Sequence, residues 1–80
     1  FESYNFKIYP NPVSNRLIIQ PPISEAYDLQ LVNTLGQVIS IQNNNTASTE
    51  LDVSMLSNGL YFLNITSENS RSQTIKFIKN

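Results

Sequence analysis

LYFLNIT, residues 60–66, decides the fold class. Tyr61, Leu63 and Ile65 fall on one side of an extended chain, opposite Phe62, Asn64 and Thr66. Apolar residues at a period of two make a half-buried strand, whereas a helix would space them at three and four. The same alternation recurs on both sides of this stretch. Phe6 and Ile8 flank Lys7; Leu17 and Ile19 alternate with Arg16, Ile18 and Gln20. Leu29 and Leu31 alternate with Asp28, Gln30 and Val32, and Ile39 and Ile41 with Val38, Ser40 and Gln42. Leu51 and Val53 flank Asp52, and Ile75 and Phe77 alternate with Thr74, Lys76 and Ile78.

The gaps between these runs carry turn chemistry. Pro10-Asn11-Pro12 separates the first two, and Pro21-Pro22 follows the second. Thr34-Leu35-Gly36 turns the third into the fourth, with Gly36 free to take positive φ. Asn43-Asn44-Asn45 opens a polar loop. The spacing predicts one helical turn over 54–59, with Ser54 as N-cap and Gly59 as a left-handed stop. Glu68-Asn69-Ser70-Arg71 is expected to be the tip of a final hairpin. About seven short strands with such turns predict an all-β chain, an immunoglobulin-like antiparallel β-sandwich, with a small closed barrel as the other possibility. Residues 1–5 read as a linker remnant and 6–80 as one domain.

Length and composition narrow the function. A chain of 80 residues supports one small domain. It has no cysteine, so one apolar core must hold it without disulfides or thiolate–zinc sites. Five basic and six acidic residues nearly cancel, and the bases Lys7, Arg16, Arg71, Lys76 and Lys79 are scattered. That argues against nucleic acid and against an electrostatic membrane anchor. No apolar run approaches the ~20 residues of a membrane-spanning helix, which argues against direct membrane insertion. The weakly charged, Asn- and Ser-rich surface leans toward an extracellular or periplasmic module. The chain starts at Phe1 without a leader, as expected of an excised domain or processed fragment.

Chemistry has few carriers. Without histidine or cysteine, Ser-His-Asp and Cys-His nucleophiles and histidine-based zinc sites are excluded. Glu50 and Asp52 share one face of a strand and could form an acid/base pair or half a calcium site. A solvated outer face explains the same spacing directly. No glycine-rich phosphate loop fits a chain whose glycines are Gly36 and Gly59. The sequons at Asn44 and Asn64 arise easily in an asparagine-rich chain, and the second lies inside a strand. The aromatic residues Tyr4, Tyr9, Tyr27, Tyr61, Phe62 and Phe77 are spread over different runs, unlike the coplanar rings of a sugar site. Tyr61 follows Leu56-Ser57-Asn58-Gly59-Leu60 and fits a tyrosine corner, its hydroxyl bonding back to nearby backbone. The expectation is no catalytic residue, no cofactor and no metal.

Three stretches, taken in order, carry a resemblance. They are Tyr9-Pro10-Asn11-Pro12 with Leu17-Ile18-Ile19; Leu31 to Val38 with its Leu35-Gly36-Gln37; and Leu51 to Ile65 with Gly59-Leu60-Tyr61, ending in Lys76-Phe77-Ile78-Lys79. Together they resemble the C-terminal sorting domain, type A, of cargo of the type IX (Por) secretion system of Gram-negative bacteria, from about Phe6 onward. The resemblance implies an immunoglobulin-like sandwich that directs an N-terminal cargo domain through an outer-membrane translocon. It also implies transit through the periplasm, delivery to the cell surface or medium, and removal of the domain by a sortase-like peptidase upstream of Phe6. The family-matching positions are Pro10, Asn11, Pro12, Gly36, Gln37, Gly59, Tyr61, Lys76 and Lys79. Gln37 departs from the basic residue frequent there, and Asn80 from a basic end.

The last run is expected to be an edge strand offering unpaired backbone to a partner, with Lys76 and Lys79 adding charge for orientation. Taken without the resemblance, those lysines only guard an edge from aggregation. An adhesive or carbohydrate-binding sandwich attached to a secreted enzyme is the alternative function, and an inert spacer a third. A chain ending directly after its final strand favours sorting over a spacer. Pro10 and Pro12 fix their own φ and push Tyr9 and Asn11 toward extended backbone, so the segment reads as a stiff crossing between strands.

Overall fold

The computed structural model describes residues 6–23, 25–67 and 72–80. The expected linker at 1–5 and hairpin tip at 68–71 lie outside the described residues. Among the described residues seven strands follow one another: β1 (Lys7–Tyr9), β2 (Arg16–Gln20), β3 (Tyr27–Asn33), β4 (Val38–Asn45), β5 (Thr49–Asp52), β6 (Gly59–Ser67) and β7 (Ser72–Lys79). They form two antiparallel sheets, β1-β2-β5 and β4-β3-β6-β7. This is the expected β-sandwich. Its fourth strand pairs with β3, whereas in constant-type immunoglobulin domains the fourth strand lies in the sheet of strands one, two and five.

The core is what the alternation predicts. Leu17, Ile19, Leu51 and Val53 from the smaller sheet meet Leu29, Leu31, Leu63, Ile65 and Phe77 from the larger. Phe6 packs edge-on to Tyr27 with ring centroids 4.9 Å apart, and Tyr61 stacks on Phe77 at 5.7 Å. The Tyr27 hydroxyl donates to the Ala47 carbonyl and meets Thr49 Oγ1 at 2.7 Å, which ties the β4–β5 loop to the core.

Two local expectations are corrected. In β4 the apolar face is reversed. Leu31 pairs with Ser40 but Val32 with Val38, so Ile39 is the extra residue of a bulge. Ser40 and Gln42 take the inner side, while Val38 and Ile41 stand exposed on the outer side. The segment after β5 is a turn rather than a turn of helix. The Asp52 carboxylate accepts from the Ser54 amide (3.0 Å) and hydroxyl (2.6 Å), and the Leu56 amide closes on Val53 carbonyl at 3.0 Å. Asp52 thus supplies the cap expected of Ser54. Those bonds from Ser54, with a smaller contribution from Arg16, hold its carboxyl below the ordinary value. Gly59 has φ +148°, a glycine conformation but not the left-handed helical one expected.

Candidate functional site

Pairing brings the motif residues to one end of the sandwich. Asn33, closing β3, lies opposite Tyr61, and Tyr61 lies opposite Phe77. Gly59 lies opposite Lys79, and Val13 bridges Lys79 in parallel. The β3–β4 turn with Gly36 and Gln37 and the Pro10–Pro12 crossing therefore share the end at which β7 finishes.

The junction between the crossing and β7 is made by Asn11 and Val13. Even-numbered residues of β7 turn their backbone groups away from β6. The Asn11 side chain occupies that edge as a neighbouring strand would, with Oδ1 accepting from the Ile78 amide (3.0 Å) and Nδ2 donating to the Lys76 carbonyl (3.3 Å). Val13 continues it: its amide donates to the Ile78 carbonyl and its carbonyl accepts from the Asn80 amide, each at 2.8 Å. Val13 is fully buried between the sheets. The peptide bonds before Pro10 and Pro12 are both cis. The crossing leaves β1, seals the end of β7 in the other sheet through the bonds of Asn11 and Val13, and returns to pair β2 with β1.

The expected open edge is therefore only half open. From Lys76 onward it is occupied, and among the described residues none bonds to the outward backbone groups of Ser72 and Thr74. Replacing Asn11 with alanine removes both side-chain bonds from a partly solvated site. The expected cost is about 1–2 kcal/mol in urea unfolding, with faster exchange of the Ile78 amide. Unchanged Ile78 protection would show that Asn11 does not hold the strand.

Gly36, Gln37 and Tyr61 have structural roles of their own. Gly36 takes φ +82°, and its amide closes on the Asn33 carbonyl at 3.0 Å. Asn33 Oδ1 accepts from the amides of Leu35 (2.9 Å) and Gln37 (3.0 Å), and its Nδ2 donates to Gln37 Oε1 at 2.8 Å. Gln37 thereby locks the turn. The Tyr61 hydroxyl donates to the Ser57 carbonyl at 2.8 Å, the bond of a tyrosine corner. Tyr61→Phe should lower the unfolding free energy by about 1 kcal/mol, read by urea denaturation, and an unchanged midpoint would remove that role.

The two lysines separate. Lys76 is exposed on the outer face of β7, whereas Lys79 is 7% exposed on the inner side, its Nζ donating to the Asn80 carbonyl at 2.9 Å. Residues three apart on a strand point to opposite faces, so of the two charges expected to aid orientation Lys76 lies on the outer surface and Lys79 does not. Sequence reasoning passed over Asn33 and Val13. An Asn two residues before Leu35 and four before Gln37 was a readable turn signal; the docking of Val13 on β7 had no local signal.

Catalytic and sugar-binding readings find little here. Glu50 and Asp52 lie exposed on the outer face of β5, beside Arg16 and Ile18 of β2. Among the described residues no group of three or more His, Cys, Asp or Glu side chains is placed to hold a metal. Tyr27, Tyr61 and Phe77 are buried, so they offer no platform for sugar rings.

The model of the family described as "Secretion system C-terminal sorting domain" matches residues 7–80. Among curated proteins none matches. Among solved structures, the chain is similar to one reported for PorZ, described as "an essential bacterial surface component of the type-IX secretion system of human oral-microbiomic Porphyromonas gingivalis". The TM-score is 0.80 at 15% identity, over 94% of this chain and 11% of that one. At that identity the likeness shows the fold, and this chain spans about a tenth of the larger protein.

Proposed function

The chain belongs to the secretion system C-terminal sorting domain family of type IX secretion, and from that premise we propose that the end built from Pro10–Val13 and β7 is what the export machinery reads. The domain is a C-terminal sorting signal, and the cargo of this system is secreted across the outer membrane. The finer steps are our reading. An N-terminal cargo domain reaches the periplasm, the sorting domain engages the outer-membrane translocon, and a sortase-like peptidase then cuts upstream of Phe6. The domain itself catalyses nothing.

The observation that carries the reading is the Asn11–β7 junction. Two sequence marks 65 and 67 residues apart form a single surface feature. A partner touching one end of the sandwich can thus check both marks at once. Pro10 and Pro12 shape the crossing, and Asn11 supplies the bonds. The backbone of Ser72 and Thr74, unbonded on that side among the described residues, suits strand addition beside that junction.

The test fuses residues 1–80 to a reporter bearing an N-terminal signal peptide and compares hosts with the type IX system intact and disabled. Reporter outside the intact host alone is the expected result, and equal amounts outside both would overturn sorting. The mass of the fragment released from the intact host reads the cleavage step separately.

A further inference from the structure

Sheet β4-β3-β6-β7 has an outer face that differs from the rest of the surface. Val32 lies between Val38 on β4 and Phe62 on β6, and Phe62 lies opposite Lys76 on β7. One row on, Leu60 lies opposite Ile78. Alternation places these side chains outward, because Tyr61, Leu63 and Phe77 between them are buried inward. Val38 is 50%, Ile78 46% and Leu60 37% exposed. Val32 is buried but lies outside the core cluster between the sheets. The result is an apolar platform crossing all four strands at the motif-bearing end. On its other side it is bounded by a polar ladder, in which Asn64 donates to Gln30 at 3.1 Å and accepts from Thr74 at 2.8 Å.

The outer face of the smaller sheet instead sets Tyr9 and Ile18 among four charged residues, Lys7, Arg16, Glu50 and Asp52. That contrast removes a general lack of polar residues as the explanation. Among the described residues the platform holds a single charge, Lys76, exposed on β7, and no hydrogen bond or ion pair joins its ammonium to any of them. An apolar patch at one end of a small domain, set around one unpaired cation, marks a contact surface.

We propose that this platform docks a folded protein of the export machinery, one presenting a flat apolar surface with a carboxylate placed for Lys76. The proposal rests on the sorting function and names the surface that serves it. A second copy of the chain fits poorly. A two-fold contact would set Lys76 against its own counterpart, and five side chains fall well short of the ~800 Å² per partner of a stable interface. A membrane would ask for a cluster of basic residues, where one stands here. A small contact of this kind suits a sorting signal that must later be released.

The test uses the same reporter fusion in the type IX host, with Lys76→Glu, Lys76→Arg and the double variant Val38→Ser/Ile78→Ser. Ile18→Ser and Glu50→Lys on the opposite face serve as controls. Thermal melts of the purified domains show that each variant folds. Export should fall about tenfold or more for Lys76→Glu and for the double variant, and stay near the unmodified level for Lys76→Arg and the controls. Unmodified export from folded platform variants would overturn the platform while leaving sorting intact. Failure of the unmodified fusion to depend on the type IX system would instead overturn sorting, and the platform with it. Binding of the purified domain to phosphatidylglycerol vesicles that these variants abolish would assign the face to a membrane. A dimer in sedimentation that they abolish would assign it to a second copy, and either result overturns the proposal.

Discussion

Phe77→Ala should remove most of the stability of this domain. Phe77 is fully buried, stacks on Tyr61 and sits on the strand that closes the larger sheet. Truncating such a ring costs about 3–5 kcal/mol, from lost transfer energy and the cavity left behind. A domain of this length has roughly 4–12 kcal/mol in total, by the usual figure per residue. The melting temperature should fall by roughly 15–30 °C, and in the marginal case the native state disappears at room temperature. Phe77→Leu keeps most of the volume and should cost only about 1 kcal/mol. Equal melting of the alanine variant and the unmodified domain, by circular dichroism, would show that the two sheets do not depend on this side chain.

Removing residues 76–80 should go further. The truncated chain loses Phe77, the Asn11 and Val13 bonds to β7, and the buried Lys79. It also bares the β6 edge from Gly59 to Phe62 and leaves the backbone of Val13, inside the sandwich, without partners. An uncovered strand edge pairs with other chains. The expected outcome is no cooperative melt and concentration-dependent association in sedimentation. A cooperative transition close to that of the intact domain would refute it. Loss of export in such a deletion therefore reports unfolding as much as lost recognition. Exposed substitutions such as Lys76→Glu separate the two.

The seven strands were legible because burial on one face of a sheet imposes a period of two, which Tyr61-Leu63-Ile65 and Leu17-Ile19 display openly. The bond from Tyr61 to Ser57 was legible because it spans four residues. Ile39 and Ile41 misled because a one-residue bulge exchanges the faces of everything after it, and no sequence pattern marks where it falls. The 54–59 segment misled because Ser54 can both cap and be capped, and the Asp52 carboxylate, two residues earlier, won the competition. The separation of Lys76 from Lys79 followed from strand parity alone, but reading them as one basic tail hid it. The Asn11 junction was out of reach, since nothing local in Pro10-Asn11-Pro12 says which distant strand will meet it.

That junction also bears on timing. Every backbone partner of β7 lies earlier in the chain, so β6, Asn11 and Val13 leave the ribosome with their bonding groups unfilled. Contacts this far apart in sequence are slow to form and close late. The surface described above cannot assemble on a nascent or prematurely ended polypeptide. Built this way, the domain completes its fold only once its last strand is present: a chain stopped before β7 leaves the Asn11 and Val13 junction unmade.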